Sequence, residues 1–208
     1  MRLNFLVLLT IVSILFFQDI AFSDVSKEPL KTAIIYLPIE NSDWKEIARR
    51  VNENEGFVER IPIDQTTTNW TELIGIQYLD VKHWDMENIE YIMEAIEAQT
   101  ISDYPGNKVT WNIIEKNKDD IIYEWILHKP YKNIPNQHEV ARAFLINGIF
   151  HRVGFTRKNA EMSANERNTW IKLLKKSSVI PFEEAANSNG FSLAKRKEIK
   201  KITIIRYP

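Results

Sequence analysis

His138-Glu139-Val140-Ala141-Arg142-Ala143-Phe144-Leu145 and Ile149-Phe150-His151-Arg152-Val153-Gly154-Phe155-Thr156 flank the link Ile146-Asn147-Gly148. Two runs rich in β-branched and aromatic residues joined by Asn-Gly read as a β-hairpin. Both turn residues tolerate the positive φ that a type I′ turn requires. Just upstream, Val109–Lys116 and Ile121–His128 are joined by Asn117-Lys118-Asp119-Asp120, a second hairpin-like connection. Parallel strands need crossovers of a dozen or more residues. Links this short therefore predict antiparallel pairing.

Working outward, Lys31–Leu37 reads as a first strand. Asn41-Ser42-Asp43 offers N-cap chemistry, and Trp44, Ile47, Ala48 and Val51 follow at helical spacing, so a short helix is expected there. Phe57, Glu59, Ile61 and Ile63 alternate with Val58, Arg60 and Pro62, a strand whose proline suits an edge or an end. Thr71–Leu79 is the next strand. Asp85 is placed to cap a helix through Gln99, in which Ile89, Ile92, Met93 and Ile96 form one buried stripe. Ser163 and Glu166 form an S-x-x-E capping box at the start of a last helix, with Trp170, Leu173 and Leu174 buried and Pro181 as its stop. Strands that cluster with tight links, between two main helices, predict an α+β fold. The expected architecture is an antiparallel sheet of about six to seven strands covered by those helices.

The 208 residues are 44% hydrophobic and 26% charged, with 6 Gly, 8 Pro, no Cys and a formal net charge of −1. A chain of that composition buries a core rather than staying disordered. Lack of Cys excludes disulfides, a cysteine nucleophile, thiolate metal sites and a lipidated cysteine. Arg2, the apolar run Phe5–Phe17 and Ala21-Phe22-Ser23 have the n-region, h-region and cleavage site of a secretory signal. A membrane-spanning helix needs roughly 20 apolar residues, and this run is shorter. The expected division is a signal peptide over 1–23, one α+β domain over 24–180 and a basic tail over 181–208. Residues 192–208 carry six basic residues and one acid, against 20 basic and 26 acidic over 24–191. An acidic domain ahead of the tail argues against nucleic acid as partner. Lys195, Arg196, Lys197, Lys200 and Lys201 could instead touch an anionic surface.

Chemistry is sparse. No P-loop, nucleophile elbow, dinucleotide fingerprint or zincin motif occurs, and no cofactor is expected. His128, His138 and His151 fall on strands expected to neighbour one another. None of them, nor His83, has tight ligand spacing to another, so no metal is expected. Tyr123-Glu124-Trp125 with Gln137-His138-Glu139 and Arg142 is the densest polar group. Paired as neighbouring strands, they would bring Glu124 and Arg142 together. Glu124, Glu139 or His138 could then serve as a general base, with Arg142 holding an anion. The competing reading is an ion pair that fixes strand register. Of six tryptophans, Trp111, Trp125 and Trp170 lie inside regular elements and read as core. Trp70 and Trp84 lie in or beside loops and read as candidates for a binding rim.

Asn69-Trp70-Thr71-Glu72 followed by Ile76-Gln77 resembles a pattern in small exported bacterial proteins of unknown function. Glu59-Arg60-Ile61-Pro62 and Gln65 precede it in the expected place. Ile122-Tyr123-Glu124-Trp125, Gln137–Arg142, Met162-Ser163 and the Trp170 helix extend the resemblance over about residues 56–180. The element order is also similar to PsbP-like domains, which are helix–sheet–helix sandwiches. Neither group supplies a catalytic residue. The sequence therefore points to an exported, periplasmic or secreted, non-enzymatic domain that binds a protein or small ligand in the bacterial envelope. The alternatives are an exported hydrolase using Glu124, Glu139 or His138, and an envelope-associated protein attached through its basic tail.

Overall fold

Asn147 and Gly148 adopt φ of 54° and 73° and turn Gln137–Ile146 back on Ile149–Lys158, in register from Gln137↔Lys158 to Ile146↔Ile149. In this computed structural model, residues 33–39, 43–51, 54–82, 88–181, 184 and 191–192 are described. The elements are β1 (Ala33–Leu37), β2 (Trp44–Val51), β3 (Glu55–Pro62), β4 (Glu72–Asp80), α1 (Ile89–Asp103), β5 (Val109–Lys116), β6 (Asp120–Leu127), β7 (Gln137–Ile146), β8 (Ile149–Lys158), α2 (Ala164–Leu174), β9 (Ser178–Pro181) and β10 (Phe191–Ser192). The segment 1–23 expected as a leader, His83, Trp84, Asp85 and the lysines and arginine of 195–201 lie outside the described residues.

Seven strands form one antiparallel sheet in the order β2-β3-β4-β8-β7-β6-β5. The fold is α+β, as the clustered strands predict. A second, three-stranded sheet, β10-β1-β9, goes beyond the sequence expectation. It carries the paired chain past residue 180 to Ser192.

Alternation along each strand sends neighbours to opposite faces, and both faces are covered. On one face Val58, Ile74, Ile76, Val140, Phe144, Val153 and Phe155 pack on Ile35 and Leu37 of β1 and on Leu174 of α2. Trp170 of α2 stacks on Phe155, with ring centroids 3.8 Å apart. On the other face α1 lays Ile89, Ile92, Met93 and Ile96 over Ile121, Tyr123, Trp125, Ala141, Ala143 and Phe150. Each of the four α1 side chains contributes roughly 1.5–3 kcal/mol relative to exposure. The stripe is the one the sequence predicts. The observed N-cap is Asn88, whose side chain accepts from Glu90 N at 2.8 Å. Among the described residues no helix is long and apolar enough to cross a membrane.

Two expectations are overturned. Residues 44–51 are a strand, β2, paired with β3. The register shifts between Glu46 and Ala48, and a bulge of this kind moves the alternation by one residue. Trp44 and Val51 consequently pack with the β1-side core, while Ile47 packs with Ile61, Trp70 and Leu73. The apolar spacing 44, 47, 48, 51 imitates a helix but serves two faces of a bulged strand. The last helix ends at Leu174, well before Pro181, which sits in β9 opposite Ala33.

Candidate functional site

A row of polar side chains crosses the α1-side face of the sheet, beyond the patch that α1 covers. Glu139 on β7 is 2% exposed. Its carboxylate accepts from Trp125 Nε1 at 3.0 Å, Thr156 Oγ1 at 3.1 Å and Arg152 Nη2. Arg152 on β8 also donates from Nε to Tyr123 Oη at 2.6 Å and from Nη1 to Gln77 Oε1 at 3.2 Å. Two charges removed from water are costly unless every lone pair and proton is matched, and this pair is matched from three neighbouring strands. Burial alone would lower the Arg152 pKa. The charge and hydrogen bonds of Glu139, with those of Tyr123, outweigh it and hold the guanidinium above its ordinary value. Burial pushes the Tyr123 phenol up to about 12.

Glu59 on β3 faces the same row. It is 7% exposed. Unlike Glu139, its carboxyl accepts no hydrogen bond from any described residue. Burial raises its pKa from 4.5 to about 7; the Arg152 charge offsets part of this rise and the Glu139 charge adds to it. Opposite Glu59 lies Gly75, and opposite Gly75 lies Gly154. A Cβ on Gly75 would meet, among the described residues, only Leu73 Cδ2 at 3.8 Å. A Cβ on Gly154 would come within 3.4 Å of Glu139 Cδ and 3.2 Å of Ala141 Cβ. Gly154 therefore makes room for the Glu139 side chain, and Gly75 leaves space above the backbone. Glu59, Leu73, Gln77, Arg152 and Thr156 around the glycine pair are all buried, at 9% exposure or less.

The opposite face carries a different cluster. Glu124 is paired by Arg167 of α2, with Nε 2.5 Å from Oε2 and Nη2 3.0 Å from Oε1. Asn112 donates to it at 3.2 Å, and His138 Nε2 lies 3.2 Å away. Burial would raise the Glu124 pKa, yet the hydrogen bonds from Arg167, Asn112 and His138 outweigh it and hold the carboxyl below its usual range. His138 Nδ1 accepts the Met162 backbone N–H at 3.0 Å. Ser163 then caps α2, its Oγ accepting from Glu166 N at 3.2 Å. The Glu166 carboxylate is turned to Arg157. All of this fastens the start of α2 to the sheet.

The sequence candidates thus separate. Glu124 and Arg142 do not pair. The register sets Arg142 opposite Ile122 and Glu124 opposite Val140, one step apart diagonally, and each has a better partner. Arg142 reaches Asp120 at 3.3 Å and donates Nη1 to the carbonyls of Leu174, Lys175 and Ser177 at the end of α2. Glu139 lies on the other face from both. Trp70 is no exposed rim: at 9% exposure it packs on Ile61 and Leu73, with Lys158 Nζ 4.6 Å from its ring centroid. Trp84 lies outside the described residues. Trp125 is buried, while Trp111 and Trp170 are partly buried against the cores. His128 is bonded to Thr110 and Glu161, each at 2.7 Å, away from His138. Among the described residues no group of three or more His, Asp or Glu is arranged to hold a metal ion.

Glu59, Gln77 and Arg152 are not among the residues that sequence reasoning singles out. One signal is present: Glu59 interrupts the apolar row Phe57, Ile61, Ile63 on a single strand face. The chain matches no protein-family model and no curated protein. Among solved structures it is similar to that of a point mutant of the protein Mog1, at 8% identity, over 71% of this chain and 89% of that one, with a TM-score of 0.42. A likeness of that strength carries no functional argument.

Proposed function

We propose that this is an exported, non-enzymatic binding domain of the bacterial envelope, and that its ligand or partner engages Glu59, beside Gly75 and Arg152. The observation that carries the reading is a buried carboxyl, Glu59, that accepts from no described residue although it lies beside the Arg152–Glu139 ion pair. Buried polar groups are otherwise hydrogen-bonded, so a carboxyl lacking a protein partner is suited to receive one from a ligand. The leader-like segment 1–23 and the resemblance to small exported bacterial proteins support the location. An exported hydrolase working through Glu124, Glu139 or His138 has less support. Glu124 and His138 fasten α2, and Glu139 is spent on Arg152, Trp125 and Thr156.

A Gly75→Val replacement sets a branched side chain suited to a strand directly opposite Glu59. Wild-type and variant protein would be used to recover bound material from envelope extract, with melting curves as the control for folding. Recovery by the wild type alone, at equal melting temperature, is the expected result; equal recovery by both contradicts the site. Fractionation of the full-length chain and of a chain lacking 193–208 tests location. A periplasmic or secreted pool for both is expected. Membrane attachment that depends on the tail would favour the tethered alternative, and a cytoplasmic pool would contradict export.

A further inference from the structure

On α1, Tyr91, Glu94, Ala98 and Ile101 fall at i, i+3, i+7 and i+10 and form one exposed stripe. It runs opposite the buried Ile89, Ile92, Met93 and Ile96. Tyr91 is 63% exposed and Ile101 49%. Ile113 of β5, at 46%, pairs with Tyr123 and so lies on the same side of the sheet. Charge on this helix is one-sided. It holds Glu90, Glu94, Glu97 and Asp103 and no Lys or Arg. Glu90 is paired with Lys116 of β5 at 2.6 Å. Glu94 and Glu97 meet no cation among the described residues and, three residues apart, repel each other. Burial, with the Glu94 charge, raises the Glu97 pKa. The last turn has no basic residue, although the negative end of a helix dipole favours a cation.

We propose that this face seats the chain's own segment 193–208, with its basic residues against Glu94, Glu97 and the end of α1 and its isoleucines against Tyr91 and Ile101. That segment lies outside the described residues. Its sequence carries Lys195, Arg196, Lys197, Lys200, Lys201 and Arg206 against one acid, Glu198, with Ile199, Ile202, Ile204 and Ile205 among them. Charge and apolar character both complement the helix face. Reach permits the contact. β10 ends at Ser192 and pairs with β1, which packs on the other face of the sheet. The 16 residues that follow span roughly 50 Å when extended. A domain of about 160 residues has a radius of gyration of about 15 Å, so the segment is long enough to pass round the sheet. Seated there, it covers apolar surface, neutralises an acidic helix and withholds its lysines from anionic surfaces. Nothing in this contact involves Glu59, so it stands or falls apart from the binding reading.

Trypsin cleavage after Arg196–Lys201 in the full-length chain, followed by mass spectrometry and divided by the rate for the free peptide 193–208, reads the contact. At about 0.01 M salt, wild-type cleavage is expected to be slower than in Glu94→Gln/Glu97→Gln by about fivefold, the worth of two exposed ion pairs. About 1 M salt, where the Debye length is about 3 Å, is expected to remove that difference. Tyr91→Ala/Ile101→Ala is expected to speed cleavage as well. Gln and Ala keep helix propensity, and thermal melting verifies folding. Equal cleavage in the wild type and either variant at low salt overturns the proposal. Protection that falls on dilution gives the face to the segment of a second copy and overturns the intramolecular contact. Protection that appears only with vesicles of equal parts phosphatidylcholine and phosphatidylglycerol, alike in all three proteins, gives the segment to a membrane and overturns it too.

Discussion

At the scale of single residues, two buried titratable groups oppose each other. Glu59 is raised from 4.5 to about 7 by burial. The folded state holds its proton where the unfolded chain has lost it, so its share of stability is full below pH 4.5 and is lost as pH rises through 7. His151 is 2% exposed with no partner for Nδ1 among the described residues, and burial lowers its pKa from 6.5 to about 4. Its share is full above pH 6.5 and is lost as pH falls through 4. Each ramp is worth roughly 3 kcal/mol. In the wild type they largely cancel between about pH 4.5 and 6.5. Glu59→Gln is expected to be more stable than the wild type by about that amount at pH 8 and equal to it below pH 4.5. His151→Leu is expected to gain in acid, between pH 6.5 and 4, relative to its difference at pH 8. Urea denaturation across pH, read as mutant-minus-wild-type curves, checks both. Neither shift is legible in the sequence, because the face on which each side chain lies depends on register, and its isolation there depends on partners from distant strands.

At the scale of elements, Arg142 decides where α2 stops. Three carbonyls at the helix end converge on its Nη1, supplying both a hydrogen-bond donor and the positive charge that the helix C-terminus favours. A proline later in the sequence could not reveal this stop, since the arginine responsible lies on β7. Arg142→Met is expected to cost about 2 kcal/mol or more and to speed amide exchange at Lys175–Ser177, whose N–H groups bond into the last turn. Unchanged exchange there would remove the argument. The Asn147-Gly148 turn, by contrast, is legible from two letters. Gly148→Ala places a Cβ at positive φ and in a clash with Lys82 Cγ, so a cost of about 1 kcal/mol or more is expected by denaturation. The β2 bulge marks the limit of such reading: one inserted residue gives a two-faced strand the apolar pattern of a helix.

At the scale of the whole molecule, the antiparallel sheet and its helices follow from short links and alternation, both local properties. The small β10-β1-β9 sheet does not, because its strands come from distant parts of the chain. The polar row around Glu59 escapes the sequence for the same reason. Glu59, Gly75, Glu139 and Arg152 come from β3, β4, β7 and β8, and no spacing in the chain joins them. The seven-stranded sheet does so by setting β3, β4, β8 and β7 side by side, with the four residues on one face. The central claim is that a carboxyl there is buried, without a donor and close to a compensated charge pair. Carbon-13 NMR titration of the Glu59 side-chain carboxyl tests it most directly. A midpoint near 7, well separated from exposed glutamates, is the expected result; a midpoint near 4.5 would show a solvated or already partnered Glu59 and contradict the account.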